Sequence, residues 1–456
     1  MTRPPVIAIT VLALALAACA SYSPRPLPKR SDLPQSIESI VVDPALLPFH
    51  NLATHAFDPR DGFDIDEIAM LAVANNPQLR QARDGLGIAR AQSFAAGLLP
   101  DPQLGASFDR ATNGTPANTS AFNLNLSYDI NALLLRSSRS GAAHQEERRV
   151  NLELLWQEWQ VVSQARLLFI RLVAQAASMK HLQSSRTQLA ERYAIGQSAL
   201  AAGNVTLDFA SAELASLQNV ERQINELERS QLQNHASLNG LIGLSVMTRV
   251  DLVGEPRLGT IDNAAVRAAM DERLKQRPDM RALRAGYLAQ EEKYRGAVLA
   301  QFPALNVGLT RARDTSGLYT VGFGLTLSLP ILNRNRGNIA IENATRQMLY
   351  DEYQNRINSA TNEISIAIDN LALLQDQLVR TRDGLAELAT VAQHAENAFL
   401  KGNFPAADYV RLQTALRDKQ TELINLQEAS MEQRIALETL LGPDLPERFR
   451  ADGSDK

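Results

Sequence analysis

Few side chains in this sequence could do chemistry, and their placement decides what chemistry that is. Cys19 is the single thiol in 456 residues, so no intrachain disulfide can form. His144, His181, His235 and His394 are scattered, with no HExxH or paired ligand spacing, and no metal site is expected. No Ser, His and Asp, and no two carboxylates, converge by spacing, so the chain is not expected to be an enzyme or to need a cofactor. Gly322-x-Gly324 sits in a strand-like run and lacks the helix that a dinucleotide fold places after its glycines. What remains is positional: Asp208 and Asp408 each follow a Gly-Asn pair, Gly203-Asn204 and Gly402-Asn403, by a few residues. An acidic side chain there suits a helix start through the helix dipole.

Cys19 is placed for a covalent modification. Arg3 supplies a positive start, Val6 to Ala18 is an apolar run too short to span a bilayer, and Leu16-Ala17-Ala18-Cys19 follows. This resembles a bacterial lipoprotein signal: residues 1–18 are removed and the Cys19 thiol takes diacylglycerol. An ordinary signal peptide with an incidental cysteine is the alternative. Residues 19–62, rich in proline, read as a lipidated extended tether. Ala20, rather than Asp, after the lipidated position favours the outer membrane by resemblance to enterobacterial sorting.

The elements that position everything else come twice. Asn76-Pro77-Gln78-Leu79 is echoed by Arg277-Pro278-Asp279-Met280 about two hundred positions later, Leu99-Pro100 by Phe302-Pro303, and Leu241-Ile242-Gly243 by Leu440-Leu441-Gly442. Two tandem copies follow, at 63–243 and 263–442, joined by a connecting segment at 244–262 and followed by a tail at 443–456. Within each copy the hydrophobic period changes from 3.6 to 2 and back. Strands are predicted at about 102–110, 120–129, 304–311 and 319–329, with apolar residues alternating against small or polar ones. That alternation matches transmembrane β-barrel strands; two soluble hairpins packed on a core would be the alternative.

After each hairpin comes a long proline-free stretch, from about Leu133 to Ala202 and from about Asn338 to Leu400, then a turn and a returning helix to about Leu241 or Leu440. At 1.5 Å per residue such helices reach roughly 100 Å. Leu207, Ala210, Leu214, Leu217 and Ile224 are predicted to form a coiled-coil seam. Trp156 and Trp159 share a helix face and should pack between helices. Net charge is −4, from 46 basic and 50 acidic residues, which gives no field for nucleic acid. Four strands cannot close a membrane barrel, since the smallest have eight, so several chains must pool them.

The duplicated unit, Asn76-Pro77-x-Leu79, the run Ala96-Gly97-Leu98-Leu99-Pro100-Asp101-Pro102, and the stretch from Leu327 through Pro330 and Arg334 to Gly337 together resemble the TolC family of outer-membrane channel proteins over residues 63–442. The resemblance implies a mainly α protein with a membrane β-barrel portion: a homotrimer whose twelve-stranded barrel continues into a periplasmic α-barrel. It implies a passive efflux duct served by a periplasmic adaptor and an inner-membrane pump, with features most like the heavy-metal branch. It also implies that Gly203, Asn204, Gly402 and Asn403 form the adaptor-docking tip, and that Asp208 and Asp408 line a constricted entrance. There, threefold rings of carboxylates would repel one another and attract cations. The sequence departs from the family at Arg411, where an acidic residue is expected, and at Phe399 and Phe404, which replace a latching Tyr and Arg. An apolar constriction and an Asp408–Arg411 contact would then close the gate. A duct for type I protein secretion, or a periplasmic coiled-coil lipoprotein, are the competing readings.

Overall fold

The computed structural model describes residues 22–31, 33–34, 42–44, 47–110, 112, 119–254 and 262–443. Cys19, the signal segment, most of the first hairpin loop and the tail beyond 443 lie outside these. A short helix α1 (His50–Ala53) precedes α2 (Ile65–Asn75) and α3 (Pro77–Gly97), then β1 (Gln103–Asp109), β2 (Ala121–Asp129), α4 (Ile130–Ala201) and α5 (Leu207–Leu241). The second copy repeats the order as α6 (Asn263–Gln276), α7 (Pro278–Leu299), β3 (Ala304–Arg313), β4 (Tyr319–Ser328), α8 (Arg336–Leu400) and α9 (Ala406–Leu441). At 72 and 65 residues, α4 and α8 run roughly 100 Å each. No helix among the described residues is long and apolar enough to cross a membrane.

The break between α2 and α3 shows how the sequence sets its own joints. Pro77 cannot continue the α2 hydrogen-bond ladder, but it fits the first turn of α3. The Asn76 carboxamide caps α3 by accepting from the Gln78 and Leu79 N–H groups at 2.9 and 3.0 Å. Its Nδ2 donates to the Leu241 carbonyl at 2.9 Å, pinning the end of the returning helix α5. In the second copy Arg277 takes that place. Fully buried, it donates from Nη1 to the Leu440 carbonyl at 2.8 Å and forms a fork on Asp279, which also receives Arg356. Burial pushes the Asp279 carboxyl up, but Arg277 and Arg356 outweigh it and hold that carboxyl below its usual value.

The main core lies at mid-height, where α2 and the ends of α5 pack on α4 through Phe63, Ile68, Leu71, Phe169, Ile170, Leu238 and Ile242. Both tryptophans serve this belt. Trp159 meets the Phe49 ring edge-on at 5.2 Å and donates to the Thr439 carbonyl of α9, while the Arg277 guanidinium lies over the Trp156 ring at 4.8 Å. The segment read as an extended tether therefore ends in structure: Phe49 and Leu52 are fully buried against α2 and α4. Below the belt the buried α5 seam is Ala210, Glu213, Leu217, Val220 and Ile224, at spacings of three and four. Leu207 and Leu214, expected in that seam, face outward instead. Ala210, Leu217 and Ile224 keep their expected places, while Glu213 rather than Leu214 turns inward and Val220 joins the row.

Candidate functional site

All four strands form one antiparallel sheet in the order β1-β2-β3-β4, so β2 pairs with β3 across the two copies. The register aligns the apolar alternations rather than opposing them. Leu104 faces Leu126, Phe108 faces Phe122, Leu126 faces Leu309, and Leu309 faces Phe323. Cross-strand partners share a face, so one side carries Leu104, Phe108, Leu124, Leu126, Leu309, Val321, Phe323 and Leu325, all exposed. The other side carries Asn123, Asn125, Asn306, Thr310, Thr326 and glycines. Arg311 and Arg313 enter the apolar side only at its far end, where Arg313 lies over the Tyr319 ring at 5.4 Å and Phe122 meets Tyr319 at 6.2 Å. Aromatic and arginine side chains at the limit of an apolar band mark a membrane–water boundary. β1 and β4 leave open edges, which lipid does not tolerate.

At the other end, the two helical turns are near copies of each other. Gly203 and Gly402 adopt φ values of 77° and 72°. Asn204 N–H reaches the Ala199 carbonyl at 2.8 Å and Asn403 N–H the Ala398 carbonyl at 2.9 Å, each closing a Schellman motif with glycine in the left-handed position. Asn204 and Asn403 are exposed at the turn apex. Asp208 and Asp408 sit in the first turns of α5 and α9. Asp208 is exposed, whereas Asp408 accepts an ion pair from Arg411 one turn on.

The tip also gathers side chains that spacing alone did not single out. Arg192 of α4 pairs with Glu213 of α5, whose carboxylate is fully buried with Oε2 left unpartnered. The same guanidinium lies over the Tyr409 ring of α9 at 5.0 Å. Phe399 of α8 stacks on Tyr409 at 4.6 Å and 4°, with the Phe209 ring also near Phe399 at 6.1 Å. Phe399 is thus built into the protomer's own stack, and Phe404 is half-buried at the second turn. Burial lowers the Arg417 pKa, and the nearby Arg192 charge lowers it further. One cluster therefore ties the α4–α5 hairpin to the α8–α9 hairpin. Glu213 could have been found from sequence as the charge interrupting an apolar seam; Tyr409 and Arg417 carry no such signal.

The scattered histidines stay apart. His144 Nδ1 approaches the Ser140 carbonyl at 2.7 Å, and burial lowers the pKa of His181 and of His235. Among the described residues no three His, Cys, Asp or Glu side chains form a group that could hold a metal.

A sheet with a membrane-facing apolar side, open edges, and helical hairpins of roughly 100 Å ending in paired turns defines a sector of an outer-membrane channel with a periplasmic helical portion. Residues 269–443 match the family model described as outer membrane efflux protein. Over that stretch, in the second copy of the repeat, the chain is similar to the outer membrane efflux proteins. It is 23% identical to the cation efflux system protein CusC of Escherichia coli K12 over 397 residues, covering 81% of this chain and 84% of that one. It is 24% identical to the probable outer membrane lipoprotein SilC of Salmonella typhimurium over 460 residues, covering 94% and 96%. Its fold is similar to a crystal structure of CusC, with a TM-score of 0.70 and 20% identity over 92% of this chain and 99% of that one. The CmeC outer membrane channel of Campylobacter jejuni gives a TM-score of 0.72 at 18% identity, covering 94% and 95%. TolC-like channels of this kind function as trimers in tripartite efflux systems.

Proposed function

We propose that three copies of this chain pool their four-stranded sheets into a twelve-stranded barrel, and that the assembly is a passive duct moving small toxic substrates from the periplasmic side to the exterior. The carrying observation is the sheet: apolar residues of all four strands fall on one face in register, with both edges open. Joining edges removes unpaired N–H and C=O groups that would each cost several kcal/mol in lipid. The helices need the same partners, since Ile366, Leu373, Val379 and Val391 of α8 are exposed on a single chain. Metal ions are the favoured substrate class, because CusC, matched over 81% of this chain, is named as a cation efflux system protein.

In this reading Cys19 carries the lipid, and Gly203, Asn204, Gly402 and Asn403 meet the periplasmic adaptor that delivers substrate from the inner-membrane pump. The gate lies at Asp208, Asp408, Arg411, Phe399 and Phe404, with Phe399 acting through its stack and Asp408 through Arg411. Three Asp208 side chains around one axis would concentrate cations at the entrance. Deleting the gene should sensitise cells to metal ions, as read by growth inhibition across metal and drug panels. Unchanged sensitivity with loss of a secreted polypeptide would favour the type I secretion duct. Replacing Cys19 with Ser should leave the protein in the membrane fraction; release into the soluble fraction would favour a lipid-tethered coiled coil.

A further inference from the structure

The two copies differ sharply where strand passes into helix. In the first, β2 ends at Asp129 and α4 begins at Ile130, with no connecting residues. In the second, β4 ends at Ser328 and α8 begins at Arg336, so residues 329–335 form an added turn. This turn has a defined shape. Ile331 N–H bonds to the Leu329 carbonyl at 2.9 Å and Arg334 N–H to the Pro330 carbonyl at 3.0 Å. Asn335 Nδ2 donates to the Ala297 carbonyl of α7 at 2.8 Å. Arg334 and Asn335 have φ of 49° and 53°, the positive-φ non-glycine residues among those described. Two adjacent residues in the left-handed region are held there only when the surroundings over-determine them.

What the turn presents is amphipathic. Leu329, Ile331 and Leu332 are 60%, 67% and 91% exposed, an unusual state for adjacent large aliphatic residues. In sequence Leu329 follows the alternation of Tyr319, Val321, Phe323, Leu325 and Leu327 on the apolar side of β4, and Ile331 and Leu332 come next in the turn. Directly beyond them Arg334 and Arg336 are exposed. The Arg336 guanidinium lies over the turn, donating to the Leu332 and Asn333 carbonyls at 3.3 and 3.4 Å. Aliphatic residues next in sequence after a lipid-facing stripe, followed at once by guanidinium groups, fit the passage from acyl chains to phosphates.

We infer that residues 329–336 are a membrane-surface anchor. Leu329, Ile331 and Leu332 enter the periplasmic leaflet of the outer membrane, and Arg334 and Arg336 bind phospholipid phosphates there. This rests on the reading of the sheet as a membrane barrel. It gives the chain a second attachment to that leaflet, set by the folded barrel base rather than by Cys19. It also assigns a purpose to the strained turn, which fixes how deep the α8 start sits.

The test uses full-length protein with Cys19→Ser, which removes the only native thiol, and one new cysteine carrying an environment-sensitive fluorophore. Labels go at Leu332→Cys, at Val321→Cys on the membrane face, and at Gln375→Cys far down α8. Each is reconstituted into phosphatidylethanolamine–phosphatidylglycerol vesicles with or without acyl bromination. Bromination should quench the labels at 332 and 321 by about twofold or more and leave 375 unchanged, as expected for shallow apolar insertion. Adding R334E and R336E should abolish the dependence of the 332 signal on the phosphatidylglycerol fraction. Quenching at 321 but not at 332 would overturn the anchor, as would cross-linking of the 332 cysteine to a second subunit in place of quenching. No quenching at 321 would instead overturn the membrane barrel and the anchor with it.

Discussion

Replacing Arg277 with alanine should be the most destabilising single change in the chain. The side chain is fully buried and serves three groups at once: Asp279, the Leu440 carbonyl and the Trp156 ring. Its removal leaves Asp279 with only Arg356 and strands a carbonyl at the end of α9. Breaking a buried charge pair by deleting one partner costs about 3–5 kcal/mol, a large share of the margin by which a protein stays folded. Thermal unfolding in detergent should show this as a markedly lower transition temperature and faster unfolding. The pH dependence follows from the sign of the Asp279 shift. A carboxyl held below its unfolded value of 3.8 contributes stability that is present above that pH and lost as pH falls through the folded value. The gap between wild type and Arg277→Ala should thus be full at neutral pH and shrink in strong acid. A gap that does not narrow below pH 3.8 would assign the effect to the Trp156 and Leu440 contacts instead.

The second large effect is expected at the tip. Glu213→Ala removes the buried carboxylate opposite Arg192 and leaves Arg192 and Arg417 facing each other without it. Because Arg192 is partly exposed, about 2–4 kcal/mol per protomer is a fair scale, below the range for fully buried pairs. Even 2 kcal/mol borne by the closed arrangement alone shifts a closed-to-open ratio about thirtyfold. Planar-bilayer recordings should therefore show larger and more frequent openings for Glu213→Ala than for wild type. Tyr409→Leu, which deletes the stacked ring under Arg192, should act in the same direction. Unchanged conductance in a correctly folded Glu213→Ala trimer would make the cluster a packing feature and move the gate to Asp408 and Arg411.

The difference between what sequence reveals and what it hides has a physical cause in each case. The four strands, the paired turns at Gly203 and Gly402, and the joints at Pro77 and Pro278 were readable because local rules govern them: alternation, left-handed glycine and the missing proline N–H. Those rules also placed the long helices to within a few residues, as with α4 starting at Ile130 rather than Leu133. The strand order was not readable, because pairing β2 with β3 is a contact between distant segments. The tip cluster was readable in part. Glu213 stands out against an apolar seam, but nothing local announces that Arg192 will bridge to Tyr409 on the other hairpin. The seam itself was misplaced at Leu207 and Leu214 because a hydrophobic period does not expect its buried row to include a carboxylate. Arg277 was missed as a structural centre for a similar reason. Its echo, Asn76, performs the same carbonyl-pinning task with uncharged chemistry.

The central claim is that this chain completes its membrane sheet only by joining copies of itself. Light scattering on the detergent-solubilised full-length protein, with detergent mass subtracted, measures this directly. Three chains per particle, stable on dilution, is the predicted result, since closure removes every open strand edge. One chain per particle, staying dispersed when the detergent is removed, would contradict the account.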